Sequence, residues 1–202
     1  MSATAISFED AGLLEQCRQG ELSAFARLVA KYQDRIYNAC WRICGHREDA
    51  RDLTQQTFAN ALESIGTFRG GSSFYTWLFR IAVNLAISHQ RSQARTASLS
   101  LDSPTDRDGR HQASSLAARL PNPGSLEPHD QLGRRELHSL VARALQNLDE
   151  EHRVVVVLRD IEGFDYQQIA EILQVAVGTV KSRLHRARMA LRQQLAAVIG
   201  SA

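Results

Sequence analysis

Apolar residues recur three and four apart along most of this 202-residue chain, a spacing that predicts an all-α protein. Residues 1–7 read as a tail. From Phe8 to about Gly20, Leu13, Leu14 and Cys17 fit a short helix. A longer stripe follows, made of Phe25, Leu28, Val29, Tyr32, Ile36, Tyr37, Cys40 and Ile43, with Ser23 as candidate cap and Gly45 as its stop. A third helix, from near Glu48 to about Ile65, turns Ala50, Leu53, Phe58, Ala61 and Leu62 inward. Glycines 66, 70 and 71 break the pattern, and a fourth helix starts around Phe74 with Trp77, Ile81 and Leu85 on one stripe.

Residues 95–130 change character. They hold all four prolines, many Ser, Thr, Asp and Gly, and few large apolar residues, which predicts a flexible linker between two small domains, 8–94 and 131–197. The helical signal resumes with Leu137, Leu140, Val141, Ala144, Leu145 and Leu148. Asp149 is positioned to cap the next helix, with Glu150 and Glu151 in the first turn where the dipole favours acids. The run Val154–Val157 has strand propensity, but the cap before it and Gly163 after it predict helix.

Asp165–Leu173 and Gly178–Arg188 then read as two helices around a tight turn, Gln174 to Val177. Ile169, Ala170, Ile172 and Leu173 face inward in the first; Val180, Leu184, Ala187 and Leu191 do so in the second. Gly178 or Thr179 opens that second helix, with the Thr179 hydroxyl as candidate cap. No acid follows Glu171, while Lys181, Arg183, Arg186, Arg188 and Arg192 do. Such a helix-turn-helix suits the major groove, with basic groups on phosphates and Thr179, Lys181, Ser182, Arg183 and Arg186 able to reach base edges. A merely solvated basic face is the bland alternative.

Formal net charge is only +2, so the basic character is local and describes a positioned surface rather than a polycation. Five of the thirteen aromatic residues fall between Phe68 and Arg80. They serve either as core or, with Arg69 and Arg80, as rings and cations for unstacked bases. Asn84, inside an apolar run, serves either an internal network or a base edge. The polar side of the third helix (Asp49, Asp52, Gln55, Gln56) is either solvated or a docking surface. Cys17, Cys40 and Cys44 do not form a disulfide framework. Cys40, Cys44 and His46 lack a second ligand pair, so buried thiols are expected rather than a metal site. The histidines show no ligand spacing, and neither enzyme activity nor a cofactor is expected. No apolar run approaches the roughly 20 residues of a membrane span, and no signal peptide opens the chain, which predicts a cytoplasmic protein.

Three sets of residues carry a family resemblance: Asp52-Leu53-Thr54-Gln55-Gln56-Thr57-Phe58; Phe68-Arg69-Gly70 with Phe74-Tyr75-Thr76-Trp77-Leu78-Phe79-Arg80-Ile81-Ala82-Val83-Asn84; and Gly163-Phe164-Asp165-Tyr166 with Ile169-Ala170-Glu171 and Val177-Gly178-Thr179-Val180-Lys181-Ser182-Arg183-Leu184-His185-Arg186-Ala187-Arg188. In this order they resemble the sigma-70 family, specifically its extracytoplasmic-function (ECF) members of the RpoE-like type, over about residues 10–93 and 122–195. The resemblance implies a sigma region 2 domain, a flexible linker and a sigma region 4 domain. It implies that Asp49, Asp52, Gln55 and Gln56 dock on the β′ clamp helices of core RNA polymerase, and that the C-terminal domain meets the β flap. Phe68, Arg69, Phe74, Tyr75, Trp77, Arg80 and Asn84 would recognise and melt the −10 promoter element. Thr179, Lys181, Ser182, Arg183, Arg186 and Arg188 would read the −35 element. An anti-sigma factor, membrane-anchored in some relatives, would hold the protein until a stress signal releases it; no small-molecule substrate is implied. Gln174 and Ala176 stand where relatives often have Gly and Pro, and Leu148-Asp149 where they have Leu-Pro.

Overall fold

The computed structural model describes residues 8–100 and 139–199. The described residues form helices α1 (Phe8–Arg18), α2 (Leu22–Cys44), α3 (Arg47–Ser64), α4 (Phe74–Ser100), α5 (139–146), α6 (Glu150–Val156), α7 (Tyr166–Leu173) and α8 (Val177–Ile199). A 3-10 turn, Ile65–Thr67, follows α3, and a π-helical turn, Val157–Ile161, follows α6. Most of the expected linker lies outside the described residues. Its first part does not behave as linker, because α4 continues through Ser100.

Helices α1 to α4 form an N-terminal unit. Leu28, Ile36 and Ile43 of α2 are fully buried one above another, as a stripe of spacing seven and eight requires. Phe25 meets Phe58 of α3 edge to face at 6.4 Å. Buried Asp10 ties α1 to α2 through Lys31 Nζ at 2.6 Å and the Tyr32 hydroxyl. Gly45, at φ 83, closes α2 with its N–H on the Trp41 carbonyl, a left-handed cap that a side chain would strain. Two local expectations differ. Ser23 lies inside α2, and Glu21 precedes it without a side-chain cap bond. Leu62 is 39% exposed because α3 gives way to the 3-10 turn, which hands the inward position to Ile65.

Helices α5 to α8 form the C-terminal unit. Asp149 occupies the N-cap position of α6, but its carboxylate makes no cap bond and lies 3.5 Å from His152 instead. The valine run is helical and buried. Helix α7 has a full capping box: Asp165 Oδ1 accepts from Gln168 N–H, and Gln168 Oε1 accepts from Asp165 N–H. Gln174 ends α7 at φ 54, in the left-handed region where glycine is the usual solution. Helix α8 opens at Val177, one or two residues before the expected start. The Thr179 N–H bonds the Ala176 carbonyl, so Thr179 sits in the first turn and caps nothing.

The two units pack on each other, and Arg153 is the joint. Its side chain is 9% exposed, and it directs five N–H···O bonds to five uncharged oxygens. Three are the carbonyls of Leu145, Gln146 and Leu148 at the end of α5; one is the Gln146 side chain; the fifth is the Ile43 carbonyl of α2. Gln146 Nε2 also donates to the Arg42 carbonyl at 2.9 Å. The carbonyls at the end of α2 thus gain donors from the other unit, beside Gln90 Nε2 of α4, which also reaches the Ile43 carbonyl at 2.8 Å, and a cation stands where the helix dipole is negative.

Two outcomes follow for stability. Arg153→Met removes the donor that five oxygens share, leaving the Ile43 carbonyl only Gln90 Nε2 and the Leu145 carbonyl only the Leu148 N–H, and is expected to cost about 3–5 kcal/mol in urea unfolding. Gln174→Gly relieves a left-handed non-glycine residue and is expected to gain up to about 1 kcal/mol, seen as a raised thermal midpoint.

Candidate nucleic-acid interface

The polar face of α3 divides. Asp52, Gln55 and Gln56 are exposed, whereas Asp49 is half-buried and engaged with α4. Asp49 Oδ2 lies 3.2 Å from His89 Nε2 and accepts from Gln93 Nε2 at 3.2 Å. Asp49 therefore ties α3 to α4, and the face open to a partner is Asp52, Gln55 and Gln56.

The aromatic segment is core. Phe68, Phe74, Tyr75, Trp77 and Phe79 are all buried, with Phe68, Phe74 and Trp77 in mutual contact at 5.3–6.0 Å between ring centroids. Of the two roles their composition allows, this arrangement has them holding a loop in shape. Arg18 fixes that loop by donating to the Phe68 carbonyl, and Ser73 Oγ caps α4 by accepting from Thr76 N–H at 3.0 Å. Arg69 and Asn84 are exposed and Arg80 is half-buried. Asn84 joins no internal network; it faces outward from an otherwise apolar stretch. Arg69, Arg80, Thr76 and Trp77 line an open cleft of about 430 Å³, whose opposite wall is Glu171 and Ile172 of α7. Cations, a ring edge and hydroxyls around a space of that size suit an unstacked base and its phosphates.

On α8, Val180, Leu184 and Ala187 are buried, which turns the intervening polar residues out. Exposure is not equivalent to freedom, however. Arg188 grips Asp160 through Nε at 3.1 Å and Nη2 at 2.5 Å, and that bond pushes its pKa above the ordinary arginine value. Arg183 is half-buried, with Nη2 2.8 Å from Glu151. Lys181 sits 5.7 Å over the Tyr166 ring, which Arg159 also covers at 4.8 Å. The Ser182 hydroxyl donates to the Thr179 carbonyl, and Thr179 is half-buried. Arg186 is exposed. Lys181 and Arg186 are thus the expected groups with reach, while Arg183 and Arg188 are held by acids of their own unit. A ligand phosphate would have to compete with those carboxylates.

Three residues important to this arrangement escaped sequence reasoning: Arg153, Glu162 and Ser73. Ser73 carried a legible signal, a serine just before the aromatic helix. Glu162 is 8% exposed between the units, and no local pattern marks a contact between residues 87 apart. The three thiols are buried, and burial pushes Cys40 up to about 12. No helix among the described residues is long and apolar enough to cross a membrane.

Residues 28–96 match the sigma-70 region 2 family and residues 138–191 the sigma-70 region 4 family. The chain is 34% identical over 190 residues to the RNA polymerase sigma-H factor of Pseudomonas aeruginosa, covering 93% of this chain and 94% of that one. It is 35% identical over 182 residues to the ECF RNA polymerase sigma factor SigW of Bacillus subtilis, covering 90% and 94%. Among solved structures it is similar to CnrH in complex with the cytosolic domain of CnrY, with TM-score 0.66, 27% identity, and 94% and 98% of the two chains covered. It is also similar to RpoE in complex with the anti-sigma factor NepR from Bartonella quintana, with TM-score 0.64, 27% identity, and 85% and 96% covered.

The contact between the two units carries a pH signature at Tyr75, which donates to Glu162. Burial, and then the Glu162 charge, push the Tyr75 phenol well above its ordinary value. The raised folded pKa means that neutral Tyr75 contributes stability fully present below about pH 10, lost as pH rises beyond it. Tyr75→Phe is expected to flatten that alkaline loss relative to wild type in denaturant titrations above pH 10.

Proposed function

The chain belongs to the sigma-70 family of RNA polymerase sigma factors, in its ECF branch, and from that premise we propose how its surfaces divide the work of promoter recognition. The protein is a transcription initiation factor and not an enzyme. Asp52, Gln55 and Gln56 dock on core polymerase, with Asp49 positioning their helix. Arg69, Arg80 and Asn84 engage the −10 element, with Phe68, Phe74, Tyr75 and Trp77 shaping the site. Helix α8 enters the major groove at the −35 element, led by Thr179, Lys181, Ser182 and Arg186, with Arg183 and Arg188 behind them.

The observation that supports this division is the sorting of exposure. Within each set, Asp52, Gln55, Gln56, Arg69, Asn84, Lys181 and Arg186 are turned to solvent while Leu53, Phe68, Phe79, Val83, Val180 and Leu184 beside them are buried. Melting follows the energetics of base extrusion: a base leaving the duplex loses stacking, which the cations and the ring edge around the cleft offset. An anti-sigma factor is the expected regulatory partner, since the similar RpoE is seen in complex with the anti-sigma factor NepR. It holds the protein on the cytoplasmic side, free or membrane-anchored, until a signal releases it.

Abortive transcription with core polymerase on a library of promoter fragments tests the reading. Wild type is expected to confer promoter-specific initiation. Asn84→Ala should keep promoter binding but lose opening. Arg186→Ala should weaken upstream recognition and lower the salt slope of binding by about 0.9 if one phosphate contact is lost. Core polymerase that gains no promoter specificity from the wild-type chain would overturn the proposal.

A further inference from the structure

Helices α3 and α4 meet at a triangle of polar atoms on the rim of the N-terminal unit. Asp49 Oδ2 and His89 Nε2 are 3.2 Å apart; Gln93 Nε2 lies 3.2 Å from that oxygen and 2.9 Å from the same His89 nitrogen. Asp49 stands in the first turn of α3. His89 and Gln93 are four apart on α4, so they share one face. The Asp49 and His89 side chains are 25% and 32% exposed, which leaves the triangle open to solutes. His46, just before α3, brings Nδ1 to 3.8 Å from the same Asp49 oxygen and to 3.2 Å from the Cys44 carbonyl.

Hydrogen bonds alone cannot satisfy all three sides of this triangle. An ionised aspartate only accepts, an imidazole nitrogen either donates or accepts, and an amide presents either its NH2 or its oxygen. If Gln93 donates to both neighbours, the bare His89 nitrogen faces the carboxylate, and two acceptors stand 3.2 Å apart. If His89 Nε2–H donates to Asp49, two donors crowd across the 2.9 Å to Gln93, and protonating the ring leaves that crowding in place. Turning the Gln93 amide cures it but sets the amide oxygen 3.2 Å from the Asp49 oxygen. Each arrangement leaves one side repulsive. A cation removes the conflict, because carboxylate, imidazole lone pair and turned amide oxygen then all point electron density at one centre.

The spacing suits a small divalent ion. Donors about 2.1 Å from an ion are about 3.0 Å apart at a right angle and about 3.4 Å apart at the tetrahedral angle. The three sides here span 2.9–3.2 Å. Imidazole, carboxylate and amide oxygen together suit zinc better than copper(I), which favours sulfur, or calcium, which takes oxygens alone. The buried thiols stand apart from the set, since the Cys44 thiol turns to the His46 carbonyl at 3.4 Å.

We propose that Asp49, His89 and Gln93, with the exposed His46 turning in as a fourth donor, form a Zn²⁺ site that clamps α3 to α4. No sequence spacing marks the set, because its donors come from two helices. Asp52 lies one turn along α3 from Asp49, so the ion sits at the foot of the docking face proposed above and fixes the helix that carries it.

The test is equilibrium dialysis of the metal-free full chain, without a histidine tag, against zinc chloride, with metal analysis of the retained protein. Wild type is expected to hold one ion per chain. His89→Ala and Asp49→Asn should each weaken binding at least about tenfold, as losing a direct donor costs no less than losing an outer one. Gln93→Glu replaces the amide by a charged oxygen and is expected to tighten binding about tenfold. The same change puts two carboxylates side by side and lowers the thermal midpoint of the metal-free chain, a pair of opposite shifts that a folding defect does not produce. Cobalt(II) in place of zinc should show the absorption of nitrogen and oxygen donors with no thiolate charge-transfer band. No zinc retained by wild type, equal retention by the Asp49→Asn, His89→Ala double variant, a thiolate band, or Gln93→Glu that binds no more tightly than wild type would each overturn the site.

Discussion

Two helices that end at the same place create more acceptor oxygens than their own backbone can satisfy, and Arg153 answers that demand. An arginine has five N–H groups in a planar fork, and here each meets an oxygen. The carbonyls belong to α2 and α5, so one side chain fixes the end of a helix in each unit. No lysine could replace it, since an ammonium offers three donors from a single point. Burial lowers the Arg153 pKa from the ordinary arginine value, yet a guanidinium has so much reserve that it stays charged. The tight approach is visible at Gly45, where a Cβ would lie 2.7 Å from the Gln146 side chain. Cap, glycine and arginine form one constraint, and the seating of α6 and α7 follows from it.

The helices themselves were legible because their apolar spacing is strong. Gly45 stops α2 and Asp165 caps α7 for reasons that lie within a few residues. The errors are local and have local causes. Ser23 lost its capping position to Glu21 because α2 starts earlier, and Thr179 lost its own because α8 does. The role of the aromatic segment could not be read from composition, since buried rings and base-stacking rings are the same residues. Long-range polar pairs were the least legible. Nothing near Glu162 in sequence announces Tyr75 or Arg35, and a five-oxygen site for Arg153 exists only once two helices have docked.

The C-terminal basic surface shows how charge in sequence overstates charge available. Read as a string, Lys181 to Arg192 is a cationic helix with no acid. In the fold, Glu151 and Asp160 come in from α6 and its following turn and engage Arg183 and Arg188. Exposed pairs of this kind contribute little stability, but they fix side-chain directions. A guanidinium already aimed loses less rotamer freedom on meeting a phosphate, whereas its carboxylate partner must then be released. Lys181 and Arg186 carry the field outward, and the acids behind them keep it from spreading over the whole unit.

The turn after α6 shows how little separates one arrangement from another. There the Glu162 N–H reaches the Val157 carbonyl, five residues back rather than four, so the helix has absorbed one extra residue. Each residue of a helix turns the chain by about 100°. A one-residue deletion in Val157–Ile161 would restore ordinary helical pairing and leave the valine core intact. It would also swing Phe164 and all that follows about a quarter-turn away from Tyr75. Insertions and deletions at this point therefore act as a rotary adjustment between the halves of the molecule, a way for related chains to diverge in geometry while every buried side chain of each half stays the same.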